Sequence, residues 1–139
     1  MSIMGLGIIK LEHIGIAGGD ADAEQLFNRL FDRFVYKTEE VASERVQTKF
    51  YRIGETKVEL LEGLGDDDAI SKFIEKRGRG IHHLAFEVED IYHAFEEAKR
   101  MGFVLLNDQP KQGADNKMIF FIHPKSTGGV LIELCQERG

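Results

Sequence analysis

One cysteine, Cys135, stands in this chain of 139 residues, so no disulfide can form within it. A chain without disulfides suits a reducing compartment, and the expectation is a cytoplasmic protein. Long hydrophobic runs are missing too, since nothing approaches the roughly 20 apolar residues that span a bilayer. Met1 to Ile9 is apolar but has neither a basic flank nor a long apolar stretch, so no secretory signal is expected. Positive charge is in short supply: 18 Lys and Arg face 24 Asp and Glu, a net charge of −6, which argues against a nucleic-acid partner. An acidic protein that takes an anionic ligand needs a local basic lining or a metal to do so. No low-complexity or disordered linker interrupts the chain.

What remains is a hydrophobic fraction of 42%, enough for a core in one compact unit or two small packed modules. Ile8 to Ala17 is rich in β-branched residues and reads as a strand, ended by Gly18-Gly19. Asp20 is the expected N-cap of a helix whose apolar stripe is Leu26, Phe27, Leu30, Phe31 and Phe34. Strands are expected over Val35–Val41, Val46–Ile53 and Thr56–Glu62, the last two joined by the turn Gly54-Glu55. Asp66-Asp67-Asp68 then precedes a short amphipathic helix from Ala69 to Lys76; a helix N-terminus accounts for these acids better than a metal motif does.

The second half repeats the plan. A strand over Ile81–Val88 leads to the N-cap Asp90 and a helix carrying Ile91, Ala94, Phe95 and Ala98, ending at Gly102. Phe103–Leu106, Met118–His123 and Gly129–Cys135 read as three further strands. Each half is therefore βαβββ. The expected fold is α+β: two repeated modules with curved mixed sheets around a shared cleft. The domain is expected over 8–139, as module 1 (8–65), a connecting short helix (66–79) and module 2 (80–136).

Two histidines and two glutamates occupy matching points of these halves. Glu59 follows His13 by 46 residues and Glu133 follows His83 by 50, each pair linking the first strand of its half to the last. A lone strand histidine is usually a satisfied core or surface residue, but a strand carboxylate among apolar neighbours is costly unless paired. The repetition makes a shared divalent-metal site the better reading. Imidazole and carboxylate without thiolate suit Co, Mn, Ni, Zn or Fe(II), and four protein ligands on an octahedral ion leave two positions for a substrate with two oxygens. His82 faces away from His83 by strand alternation, and His93 is expected to face solvent. The segment His123-Pro124-Lys125-Ser126-Thr127-Gly128-Gly129 reads either as a turn fixed by Pro and Gly or as a lip that holds an acyl group or phosphate through His123, Lys125 and Ser126.

These residues together resemble the vicinal oxygen chelate superfamily, which includes glyoxalase I, extradiol dioxygenases and fosfomycin and bleomycin resistance proteins. Within it the chain looks most like the epimerase family that acts on methylmalonyl-CoA. The segments that carry the resemblance are Glu12 to Ala17, Gly54 to Glu62, Gly80 to Phe86 and, most specifically, His123 to Leu134; it covers nearly everything from Leu11 to Gln136. The resemblance implies a metal-dependent epimerase that interconverts the (2R) and (2S) thioesters by removing and returning the C2 proton. His13, Glu59, His83 and Glu133 would be ligands, and Glu133 also one of the acid–base groups. It further implies an acyl-CoA substrate and a homodimer.

Thr48 marks a departure, because some members of the family carry a glutamate at the aligned position, and the second proton carrier is left unnamed. Two other functions compete. A glyoxalase I-like lyase acting on a glutathione hemithioacetal would use the same four ligands, and a catalytically silent small-molecule-binding resistance protein would need none of them.

Overall fold

The computed structural model describes residues 3–139. Among the described residues, eight strands and three α-helices make an α+β fold: β1 (Ile8–Ala17), α1 (Ala21–Phe31), β2 (Lys37–Val41), β3 (Val46–Ile53), β4 (Thr56–Gly63), α2 (Ala69–Arg77), β5 (Gly80–Val88), α3 (Ile91–Arg100), β6 (Lys111–Gln112), β7 (Lys117–Ile122) and β8 (Ile132–Glu137). The chain divides into two compact units, residues 13–82 and residues 1–12 with 83–139. Among the described residues no helix is long and apolar enough to cross a membrane.

In the unit of residues 13–82 the strands lie in the order β2-β3-β4-β1. β1 runs parallel to β4, whereas β4–β3 and β3–β2 are antiparallel. The two-residue turn at Gly54-Glu55, with Gly54 at φ +63°, pairs Ile53 with Thr56 and so sets the register of the whole hairpin. α1 begins where Asp20 accepts the Ala23 N–H at 2.9 Å and stops at Asp32, which is left-handed. Its termination at Phe31 leaves Phe34 outside the helix and 81% exposed. The expected apolar stripe is covered in part: Phe27 and Phe31 are half-buried, Phe31 edge-on to the Tyr51 ring at 5.3 Å, whereas Leu26 and Leu30 are mostly exposed. The small core of this unit gathers Ala17, Val46, Leu61 and Ile70, with Phe73 and Ile74 of α2 against them.

The other unit repeats the arrangement as β5-β8-β7-β6, parallel between β5 and β8 and antiparallel thereafter. Its core is larger: Val88, Ile91, Ala94, Phe95, Ala98, Phe120, Ile122 and Leu134. Asp90 caps α3 by accepting from Tyr92 and His93. The strand expected at Phe103–Leu106 is reduced to a single bridge between Leu105 and Ile122. Side chains interrupt the ladder there, because the Val104 N–H goes to Ser126 Oγ and the Phe121 N–H to Asn107 Oδ1. The fourth strand of this repeat is instead the short β6. β8 starts three residues later than expected, after Gly128 and Gly129 have turned the chain at φ +72° and +105°.

Candidate metal centre

Strand register decides which side chains share a face. In the first repeat His13 pairs with Lys57, and two residues on Gly15 pairs with Glu59, so His13 and Glu59 look the same way. Phe50 lies opposite Glu59 on the other side. In the second repeat Ala85 pairs with Glu133, and Phe121 lies opposite Glu133 on its other side. His83 precedes Ala85 by the same two residues that separate His13 from Gly15. Each glutamate therefore stands between the smallest neighbour of its row and a phenylalanine. Gly15 and Ala85 leave the carboxylate room, and the aromatic rings wall it from water.

The two His–Glu couples form within their own repeats. His13 Nδ1 is 3.1 Å from Glu59 Oε2, and His83 Nε2 is 3.2 Å from Glu133 Oε1. All four side chains are buried. The ring of Phe121 meets His83 edge-on at 5.9 Å between centroids, which fixes the plane of the imidazole. A nitrogen and an oxygen that bind one ion in adjacent positions, each at about 2.1 Å, stand about 3 Å apart. Both couples have that separation, and their donor set is one that divalent cations accept. The residues fit a metal.

Lys57 and Thr48 share this face and are buried beside the couple of the first repeat. Cys135, two residues beyond Glu133, is buried, and burial together with the nearby Glu133 and Glu12 carboxylates pushes its thiol well up. Its Sγ lies against the Phe86 carbonyl at 3.6 Å. A thiol so placed is no nucleophile.

His123, Lys125 and Ser126 fall together in a single turn, with Pro124–Ser126 forming one turn of 3-10 helix after β7. His123 Nδ1 accepts the Lys125 N–H at 3.0 Å, so the neutral ring carries its proton on Nε2. Ser126 Oγ accepts from Val104 and ties the turn to the segment after α3. Lys125 is exposed. His82 turns away from His83, as strand alternation requires, and meets the Phe73 ring edge-on at 4.9 Å. His93 does not simply face solvent: its Nε2 lies 3.0 Å from the Gly5 carbonyl, tying α3 to the N-terminal segment. Of Asp66-Asp67-Asp68, Asp68 caps α2, its Oδ1 accepting from Ser71 at 2.8 Å, while Asp67 pairs with Arg45 at 2.7 Å.

The sequence reading missed Phe50 and Phe121. Their signal was present in the first repeat, where the turn at Gly54-Glu55 already places Phe50 against Glu59. In the second repeat the excursion from His123 to Leu131 hides the corresponding register.

Residues 12–121 match a family model described as the Glyoxalase/Bleomycin resistance protein/Dioxygenase superfamily. The ethylmalonyl-CoA/methylmalonyl-CoA epimerase of Cereibacter sphaeroides is 37% identical over 130 residues, covering 91% of this chain and 97% of that protein. Among solved structures, methylmalonyl-CoA epimerase from Mycobacterium tuberculosis superposes with a TM-score of 0.90 at 30% identity, over 100% of this chain and 94% of that one. A methylmalonyl-CoA epimerase in complex with methylmalonyl-CoA and ammonium gives a TM-score of 0.89 at 31% identity, over 95% and 96% of the two chains.

Proposed function

The chain belongs to the Glyoxalase/Bleomycin resistance protein/Dioxygenase superfamily, and we propose that it is a metal-dependent epimerase interconverting the (2R) and (2S) forms of methylmalonyl-CoA. The observation that carries this reading is the duplicated His–Glu couple, His13 with Glu59 and His83 with Glu133, in a chain similar over almost its whole length to epimerases of that name. We take these four residues as ligands of one divalent ion, Co, Mn, Ni or Zn. The chemistry a bound ion supplies there is Lewis-acid stabilisation of negative charge.

The reaction breaks the C2–H bond and remakes it from the opposite side, while the electron pair is held as an enolate on the thioester carbonyl. Glu133, with one oxygen 3.2 Å from His83 Nε2, also takes up or returns the C2 proton. Phe50, buried beside Glu59, and Phe121, half-buried beside Glu133, limit the water that could quench the carbanion. His123 Nε2–H, Lys125 and the Ser126 hydroxyl are the donors suited to the acyl-CoA. The protein works as a homodimer in the cytoplasm, where Cys135 stays reduced.

The test is stereochemical. Metal-loaded protein given one epimer in deuterated water should exchange the C2 proton and accumulate the other epimer. Absence of exchange and inversion with every one of the four metals would sink the reading.

A further inference from the structure

The sheet that carries Glu133 extends past Phe121. Beyond β7, residues 103–107 run antiparallel to it, bridged at Leu105 and Ile122. The His123 N–H donates to the Val104 carbonyl at 2.8 Å, and the Leu106 N–H donates to the Phe121 carbonyl at 2.9 Å. Phe103 and Leu105 pack against the core shared with α3, where Phe120, Ile122 and Leu134 also lie. Alternation then sends Val104 and Leu106 to the other face, the one that bears Phe121, His123 and Glu133. Ala85, Glu133, Phe121 and Leu106 therefore form one row across four segments of a single compact unit. Val104 and His123 stand in the next row.

Exposure rises along that row. Glu133 is buried, Phe121 is half-buried and Leu106 is 51% exposed, with Val104 beside it at 41%. An apolar shelf two strand spacings wide, roughly 10 Å, thus leads from Glu133 to the rim of the sheet. At the rim the backbone offers polar groups. The Val104 carbonyl and the Leu106 N–H are committed to β7, so the N–H and carbonyl of Leu105 between them turn to the outer edge. Farther along the same rim the Ser126 hydroxyl accepts the Val104 N–H at 2.9 Å, which seats the exposed Lys125 at the Val104 end. From inside outward the order is a carboxylate, an apolar shelf, an amide edge and a cation.

We propose that Val104 and Leu106 form the floor on which the pantetheine arm of the acyl-CoA lies; this rests on the epimerase reading. The arm of a CoA thioester has the same order of chemistry. Its sulfur adjoins the acyl group, methylene pairs alternating with two amides and a dimethyl group follow, and a pyrophosphate closes it. With C2 at Glu133 the arm crosses Phe121 and Leu106, where its alkyl groups cover exposed apolar surface. Its amides meet the outward N–H and carbonyl of Leu105 as an added strand would. Turning toward Val104, the arm brings its phosphates to Lys125 and to His123 Nε2–H. In a chain of net charge −6 that local cation is what lets the rim hold an anion. The acyl group occupies the buried end of the row, and the shelf selects for its carrier.

The experiment follows inversion of two methylmalonyl thioesters, one on CoA and one on N-acetylcysteamine, which lacks most of the arm. Wild-type, Leu106→Ala and Met101→Ala proteins are compared, all metal-loaded. Leu106→Ala should raise KM for the CoA thioester about 10-fold, the lower end of what lost apolar contacts cost a substrate, with kcat nearly kept. On the short thioester the same variant should lose far less. Met101 is as exposed, at 52%, but it ends α3 off this face, so Met101→Ala should match wild type on both. An unchanged KM for the CoA thioester in Leu106→Ala would overturn the proposal, and so would an equal loss on both thioesters. A smaller sedimentation mass in Leu106→Ala would overturn it as well, by making the shelf a contact between two copies of the chain. A wild-type protein that does not invert the CoA thioester brings down the epimerase reading and this one with it.

Discussion

α1 and α3 hold the same place in the two repeats, yet they are attached to their sheets by different forces. α3 buries Ile91, Ala94, Phe95 and Ala98, and the Phe95 ring meets Phe120 edge-on at 5.1 Å. α1 buries Ala23 and leaves Leu26 and Leu30 58% and 69% exposed. Beside an edge-on contact of Phe31 with the Tyr51 ring at 5.3 Å, polar ties hold it. The buried Tyr51 hydroxyl donates to Asn28 Oδ1 at 2.7 Å with the Glu24 carbonyl at 3.1 Å, and Lys49 Nζ reaches Glu24 Oε1 at 2.9 Å and the Gly19 carbonyl at 2.7 Å. The faces of the sheets tell the opposite story. There each repeat sets a histidine, a small residue, a glutamate and a phenylalanine in the same order. The duplication is kept where strand register positions donor atoms and is abandoned on the helix side, because pairing along the strands sets the donors whatever packs behind them.

The sharpest way to break this comparison is to treat the two couples as equals. His13→Ala and His83→Ala should each lose the bound metal and lower epimerisation by at least about 100-fold, the scale on which even residues that merely orient ligands act. Metal content measured per protein chain checks this, and an ion retained by either variant would make the site the property of one repeat. Next in size is Phe120→Ala. Emptying the place of a fully buried ring in the larger core should cost about 3–5 kcal/mol in urea unfolding.

Tyr51→Phe tests the polar attachment of α1 and should cost about 1 kcal/mol, the net worth of a hydrogen bond. A loss equal to that of Phe120→Ala would erase the contrast between the helices. The smallest effect concerns the cap of α2. Burial alone would raise the carboxyl of Asp68, but the Ser71 N–H and hydroxyl and the Gly65 N–H outweigh it and hold it below the usual carboxylate range. A depressed value contributes stability that is present above the unfolded value of about 4 and is lost as pH falls through the folded one. Asp68→Asn keeps a capping oxygen and removes that dependence. Its stability should therefore fall less than the wild type's between about pH 5 and 3, with an offset near neutral pH of no more than about 1 kcal/mol.

The elements with strong local signals were legible in the chain. β3 matches its expected span, Val46–Ile53, because a two-residue turn and alternating apolar residues define both of its ends. Asp20 and Asp90 cap the helices they were expected to cap. The strand expected at Phe103–Leu106 failed through contacts with residues far along the chain. The N–H groups of Val104 and Phe121 that would have continued the ladder donate instead to Ser126 Oγ, from beyond β7, and to Asn107 Oδ1. The stripe of α1 held only at Phe27 and Phe31, because helical spacing shows which side of a helix is apolar, not how much of it is covered.

For the chemistry the division is similar. The sequence by itself determined the repeat, the order of strands and helices, and the four ligand candidates, since these follow from local periodicity and from like residues at like spacing. The tertiary structure decided which nitrogen of each histidine meets its glutamate, that Gly15 and Ala85 face the carboxylates, and that Leu106 lies across from Phe121. Those are matters of register between strands, fixed by backbone hydrogen bonds between residues far apart in the chain, and a shift of one residue would turn every one of these side chains to the other face.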